Sequence, residues 1–245
     1  MINRRGKAPL VLLSGLTLLA TRAPAAPAAN TLSAAEKAAG WRLLFDGKTP
    51  KGWRGVKTPG FPAEQWVVAD GLLKCVGGKK HVDIITDEQF GDVELSWEWR
   101  LAAGGNSGVK YLVDEARSQP GFGIGFEYQL IDDDKHPDAR AGHDGNRTVG
   151  ALYDLIAPRD KIVHPPGQWN ESRLLVRGNH VEHWLDGKKV VSFERGSPEM
   201  KALIAASKYR GLPGFGEDAR GHLLLQDHET EIAFRNVKVR VPPHG

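Results

Sequence analysis

Two alternating segments carry the side chains best suited to chemistry. In Phe126-Glu-Tyr-Gln-Leu-Ile-Asp132 a period of two sends Phe126, Tyr128 and Leu130 to one face and Glu127 and Gln129 to the other. Upstream, Asn106-Ser-Gly-Val-Lys-Tyr111 sets Asn106 and Lys110 on one face, with Val109 and Tyr111 opposite. If both strands join one sheet, Asn106, Lys110, Glu127 and Gln129 form a single polar patch that places a carboxylate near an ammonium. Gln226 and His228 alternate with Leu223 and Leu225, and Arg235 follows Phe234 in the same manner. Amides and charges in such a patch match the ring hydroxyls of a sugar; the plainer reading is a solvated outer face. A base beside a cation would separate an enzyme from a lectin, which needs only hydroxyl partners.

The polar stretch from Asp132 to Thr148 (DDDKHPDARAGHDGNRT) is long for a loop in a compact domain, and such loops are usually functional or disordered. Its acids first suggest calcium. The EF-hand pattern fails, because Pro137 stands where a sharp-turn glycine is needed and His143 takes the place of the closing glutamate. A looser divalent-metal site on Asp132, Asp134 and His136 stays open, beside the reading of a solvated loop. His180-Val-Glu-His183 is no zinc motif, since in a strand its two histidines point to opposite faces. Phosphate-loop, dinucleotide and nucleophile-elbow motifs are likewise missing. The Gly-rich stretch Tyr209–Arg220 either flanks the same site or is a surface connection.

These groups must be positioned by strands. Val93, Leu95, Trp97 and Trp99 alternate with Glu94, Ser96, Glu98 and Arg100, and further strands are expected at 108–113, 125–131, 171–177, 180–185, 188–194, 222–227 and 231–241. Asp186-Gly187 reads as a two-residue hairpin turn. Helical signals are few: Ser33 with Glu36 as a capping box over 31–39, and Pro198 opening a helix over 197–208. Closely spaced strands predict an all-β sandwich or jelly roll in one domain over residues 29–245. Cys75 has no partner for a disulfide and reads as a small buried hydrophobe.

The 245 residues carry 33 basic and 30 acidic side chains, but Arg4, Arg5, Lys7 and Arg22 lie in residues 1–28, which hold no acid. Without them the balance is slightly negative, which removes the case for nucleic acid. Residues 1–28 combine a basic start, an apolar run over 8–20 and Ala-Pro-Ala sites, the pattern of a cleavable export signal. The apolar run falls short of the roughly 20 residues a membrane span needs. The mature chain is therefore expected to lie outside the cytoplasm, periplasmic or extracellular, without a membrane span.

LFDGKTPKGW (Leu44–Trp53), NSGVKY (Asn106–Tyr111), FEYQLIDDDKHPDA (Phe126–Ala139), GNRTVGALYDLI (Gly145–Ile156), NHVEHWLDGKKV (Asn179–Val190), GHLLLQDH (Gly221–His228) and FRNVKV (Phe234–Val239) together resemble the 3-keto-disaccharide hydrolase family. The resemblance spans about Gly40 to Val241. It implies a concanavalin A-like jelly roll of two curved antiparallel sheets. It also implies cleavage of glycosides already oxidised at sugar carbon 3, by elimination or net hydrolysis, with a sugar 3-oxidoreductase supplying the ketone. The ketone acidifies the hydrogen on carbon 2, so the chemistry needs a base, an acid or electrophile, and hydroxyl partners. On this sequence the base falls to Glu127 or Lys110 and the electrophilic partners to His136, His228 or Arg235. Asn106, Gln129, Asp132, Tyr153 and Gln226 would hold hydroxyls. A non-catalytic carbohydrate-binding module is the alternative, and an ordinary glucanase is disfavoured because Gln129 and Ile131 follow Glu127 where a second carboxylate would stand.

Overall fold

The computed structural model describes residues 1–2, 28–78 and 80–242. The export signal expected over residues 1–28 falls almost wholly outside them. After helix α1 (Ala34–Ala38) the chain forms strands β1 (Arg42–Leu43), β2 (Trp53–Gly55), β3 (Trp66–Ala69), β4 (Leu72–Cys75), β5 (Ile84–Phe90), β6 (Val93–Leu101), β7 (Asn106–Val113) and β8 (Phe126–Ile131). A long connection leads to β9 (Asn170–Arg177), β10 (His180–Leu185), β11 (Lys188–Glu194), helix α2 (Pro198–Ala206), β12 (Gly221–Leu225) and β13 (Ile232–Arg240). Both helices start as their sequences predict. Ser33 and Glu36 form a complete capping box, and Ser197 caps α2 with Pro198 in the first turn. None of the helices among the described residues is long and apolar enough to cross a membrane.

The strands make two antiparallel sheets, a jelly-roll sandwich. One has the order β11-β10-β9-β6-β13-β4-β3, with β1 added beside β13; the other has the order β2-β5-β12-β7-β8. Sequence-distant strands are thus neighbours, β6 beside both β9 and β13, and β12 between β5 and β7. Alternation decides which side chains fill the space between the sheets. Trp97, Tyr111, Tyr128, Phe126, Leu130, Trp66 and Phe234 are all fully buried there, and each contributes about 1.5–3 kcal/mol by leaving water. The hairpin of β10 and β11 turns at Asp186 and Gly187, both with positive φ (44° and 77°), as a primed turn demands.

A bulge breaks the alternation of β7. Leu112 has φ 52°, and the four residues of β7 from Lys110 to Val113 lie opposite only three of β12, His222 to Leu224. Val113 is thereby turned to the outer face of the five-stranded sheet, where it packs with Val56, Ile85 and Leu224. That small apolar cluster walls off one end of the face that carries Lys110.

β8 is the edge of its sheet, and its free backbone groups are covered by the chain itself. Gln129 N donates to Ala151 O (3.1 Å), Gly150 N to Gln129 O (2.9 Å) and Tyr153 N to Glu127 O (3.0 Å). His183 secures this segment from the core: its Nδ1 meets Gly150 O at 3.1 Å and its Nε2 the Tyr111 hydroxyl at 2.9 Å. With Nδ1 donating and Nε2 accepting from Tyr111, the ring is neutral, while His180 stays near the surface beside Glu182 and Glu194.

Burial brings His183 down to about 4, from 6.5, against the pull of the Gly150 carbonyl. Its folded pKa lies below the unfolded one, so its contribution to stability is whole above about pH 6.5 and drains away as pH falls toward 4. Urea unfolding should show the wild type losing about 2–3 kcal/mol more than His183→Gln between about pH 7 and pH 4.5. Equal losses in the two proteins would dismiss the assignment.

Candidate active site

Glu127 and Lys110 stand directly opposite each other on β8 and β7. Both point away from the inter-sheet core, yet Glu127 is only 5% exposed because the connections after β8 and after α2 fold over this face. Lys110 Nζ lies 3.9 Å from Glu127 Oε2 and 3.8 Å from Asp83 Oδ2, and donates to Gly123 O at 3.0 Å. A buried ammonium is tolerable when carboxylates compensate it, and this one has two.

Asp83 is the part that sequence reading missed. It precedes β5, its side chain is wholly buried, and both oxygens are engaged: Oδ1 accepts from Asp227 N (3.0 Å) and faces His81 Nε2 (2.9 Å), and Oδ2 accepts from Gly123 N (3.0 Å). Asp227 in turn accepts from Val82 N, Glu229 N and the Cys75 thiol. Burial, with Asp227 adding repulsion, pushes the Cys75 thiol far up, so it is the inert core group its sequence suggests. These two buried aspartates lock β4, β5 and β12 together beneath Lys110. A single Val-Asp-Ile triplet carries no signal of such a role; only the pairing of β5 with β12 reveals it.

The remaining predicted residues divide. Gln129 is 1% exposed, and its side-chain amide lies 3.2 Å from Glu127 Oε1 and 3.0 Å from Ser107 O. Turned with nitrogen toward these acceptors, it donates to both. Asn106 lies against the far side of that amide at 3.3 Å, so the two amides, expected to hold hydroxyls, instead buttress the glutamate. Gln226, whose backbone NH donates to Gly108 O, has a buried Oε1 without a hydrogen-bond partner. His136 and His228 meet at the rim, ring centroids 6.2 Å apart, and His81 lies 6.3 Å from His228 while stacking on the half-exposed Phe122 at 4.1 Å. Partial burial, then repulsion from His228, lowers the His136 pKa.

Tyr153 sits beside Glu127 at the sheet edge, but its hydroxyl donates to Asp138 Oδ2 at 2.7 Å. Burial and then that bond raise the Tyr153 pKa well above the ordinary phenol value. Arg147 joins Asp138 and Asp154, each at 2.7 Å. The stretch after α2 brings Tyr209, stacked on Phe215 at 4.0 Å, and Lys208, whose ammonium lies 4.0 Å from the Tyr153 ring centroid.

Three expectations are corrected. Arg235 belongs to the other sheet, where its guanidinium pairs with Glu98 at 2.7 Å and covers Trp169, so it is no partner of Glu127. Asp132 holds no substrate hydroxyl: it accepts from Gly104 N, Asp134 N and Lys135 N and closes a turn. Burial opposes its ionisation, but these amides outweigh burial and keep its carboxyl below the usual range. With Asp132 so used and His136 Nδ1 accepting from Asp138 N, the trio Asp132, Asp134 and His136 does not form a metal cage; among the described residues no three His, Cys, Asp or Glu side chains cluster as ligands.

A well-formed cleft elsewhere, about 240 Å³, is lined by Trp99, Ile131, Asp132, Asp133, His164 and Pro165 among others. Of its acids, Asp132 is held in the turn and Asp133 by Lys161 and Val149 N.

A carboxylate and an ammonium sheltered on the outer face of a jelly-roll sheet, with imidazoles and an aromatic ring nearby, are groups of the kind a carbohydrate-active enzyme uses. The sequence profile described as a 3-keto-alpha-glucoside-1,2-lyase-like domain matches residues 40–240. A 3-keto-disaccharide hydrolase of Bacteroides thetaiotaomicron is 33% identical over 228 residues, 82% of this chain and 78% of that protein. A crystal structure from Parabacteroides distasonis, of a candidate glycosyl hydrolase, superposes with a TM-score of 0.79 at 37% identity, covering 88% of this chain and 100% of that one. A second from the same organism gives 0.63 at 25% identity, with coverages of 82% and 99%. The chain belongs to the 3-keto-disaccharide hydrolase family.

Gly108 makes the central pair possible. It faces Gln129 across the ladder, and a Cβ there would lie 2.5 Å from Glu127 Oε1 and 2.9 Å from its Cγ. Gly108→Ala should displace the carboxylate and lower turnover by about two orders of magnitude, the scale for misplacing a reacting group by ~1 Å. The thermal midpoint should move by no more than a few degrees. Turnover and melting measured on one preparation check this, and full activity in the alanine variant would contradict it.

Proposed function

We propose that this glycoside hydrolase cleaves 3-keto-glycosides, with Glu127 removing the proton from sugar carbon 2. The observation that carries the reading is the sheltered Glu127–Lys110 pair, beside which no second carboxylate is free among the described residues. Conventional glycosidases need two carboxyl groups free to act on the sugar. Here Asp83, the acid nearest Lys110, is fully buried with both oxygens occupied, and Ile131 stands further along the Glu127 face. The similarity to the Bacteroides 3-keto-disaccharide hydrolase and to the 3-keto-alpha-glucoside-1,2-lyase-like domain family supports the same substrate class.

A C3 ketone makes the C2 hydrogen acidic enough for one general base, which typically contributes about 10²–10⁴ in rate. Lys110, held between Asp83 and Glu127, fixes the position of the carboxylate rather than serving as the base itself. Removal of the proton forms an enolate, whose collapse expels the C1 substituent and leaves an enone; addition of water to that product gives net hydrolysis. Gln226, with its unpartnered Oε1, is placed to accept from a ring hydroxyl, and His228 and His136 at the rim to pass a proton to the departing oxygen. A separate sugar 3-oxidoreductase supplies the ketone, since this chain has no dinucleotide fingerprint. A carbohydrate-binding module without catalysis would have no use for a buried base–cation pair.

Glu127→Gln preserves shape and removes the base. On a 3-keto-glucoside the variant should lose about 10³-fold or more in aglycone release, and the unoxidised glycoside should resist the wild type. Turnover of the variant within tenfold of wild type, or efficient cleavage of the unoxidised glycoside, would defeat the reading. The export reading of residues 1–28 has its own check: amino-terminal sequencing of protein from fractionated cells should find a chain starting near residue 29 outside the cytoplasm.

A further inference from the structure

The proposed elimination builds negative charge on the C3 oxygen, and the cations considered from sequence do not meet it. Arg235 is on the other sheet and paired with Glu98, and Lys110 is flanked by Asp83 and Glu127. We infer that Lys208 is the cation that stabilises the enolate oxygen. This rests on the 3-keto reading above and assigns a catalytic residue within it.

The geometry comes from the covered edge of β8. Tyr128 bridges Leu152 in antiparallel register, so Tyr153 falls opposite Glu127 and on its face, with Tyr153 N bonded to Glu127 O at 3.0 Å. Lys208 is fastened over this pair by its backbone NH, which donates to Asp154 Oδ2 at 2.9 Å. Its ammonium lies 4.0 Å from the Tyr153 ring centroid and 5.1 Å from that of Tyr209. The nearby acids are spent: Asp138 on Tyr153 and Arg147, and Asp154 on Arg147 and the Lys208 amide. Among the described residues no carboxylate pairs with the Lys208 ammonium. An aromatic ledge with an unpaired cation beside a base is an anion site awaiting charge.

The residue as a whole is exposed, so its ammonium can be reached from solvent. Loss of water around the ammonium lowers its pKa, attraction to Glu127 partly offsets this, and Lys110 adds repulsion. An ammonium crowded in this way gains when an enolate forms beside it.

The electron balance is complete without a further reactant. Glu127 takes the C2 proton, the C–H pair becomes the C2–C3 π bond, and the carbonyl π pair moves to the C3 oxygen facing Lys208. That pair then returns to the carbonyl, a C1–C2 π bond forms, and the C1–O bond breaks with its electrons leaving on the aglycone oxygen, which receives the proton.

The test uses the full-length mature enzyme, a 3-keto-glucoside in deuterated buffer, and two readouts: aglycone release and exchange of the C2 hydrogen. Lys208→Met should lower kcat about 10²–10³-fold and slow exchange in parallel, with KM changed less than about threefold and the thermal midpoint unmoved. Lys208→Arg, which keeps the charge, should recover at least about tenfold of the loss. A methionine variant within about threefold of wild type in both readouts, or one impaired through KM alone, would remove Lys208 from the chemistry while leaving the substrate assignment intact. Wild type that neither cleaves the 3-keto-glucoside nor exchanges its C2 hydrogen would overturn the substrate assignment itself, and this inference with it.

Discussion

The site depends on bringing a lysine and a glutamate face to face in a place with little water. Lys110 and Glu127 face each other in register across two neighbouring strands, and a charge removed from water there needs a partner of opposite sign. Asp83 makes the arrangement stable by adding a second carboxylate beneath the ammonium, itself saturated by the Asp227 and Gly123 amides and His81. The network constrains geometry as well as charge. Lys110 cannot swing away without stranding two acids, and Glu127 cannot swing toward β7 without meeting the backbone at Gly108.

The second requirement is a cover. A sheet face open to bulk water would leave its charges in a high dielectric, where they do little to a bound substrate. Here the cover is built from what looks like loop. The segment around Gly150–Tyr153 adds itself to the edge of β8, held by His183 from within, while Arg147 ties Asp138 to Asp154 and so ties the two ends of that segment together. The stretch after α2 closes the same side with Tyr209 and Phe215, and their rings continue into the core through Phe126. Packing that stabilises the sandwich therefore also fixes the height of the groups above Glu127.

The eight-stranded sheet serves as the scaffold for this arrangement. Its outer face is laced with paired charges, Arg173 and Arg240 both reaching Glu94, and Arg235 reaching Glu98, with Trp184, Trp169 and Trp41 lying under guanidinium groups. The most exposed of them, Arg235–Glu98, is worth only about 0–1 kcal/mol. Their effect is to satisfy a broad polar surface.

The sequence by itself determined the strands, the turn chemistry and the face each side chain takes, because a period of two and the residues of caps and hairpins are local properties. On that ground Glu127 and Lys110 were already legible as neighbours, and Trp97, Trp99, Tyr111, Tyr128 and Cys75 as core. Alternation gives a face but not a sheet, and so Arg235, correctly read as outward, was grouped with residues on the opposite side of the molecule. Only the tertiary structure decided that strand order, that Asp83 and Lys208 meet a centre from which the chain separates them by dozens of residues, and that Asp132 is spent on a turn. These outcomes follow from strand pairing and packing between segments distant in the chain, for which no short motif is required and none is present.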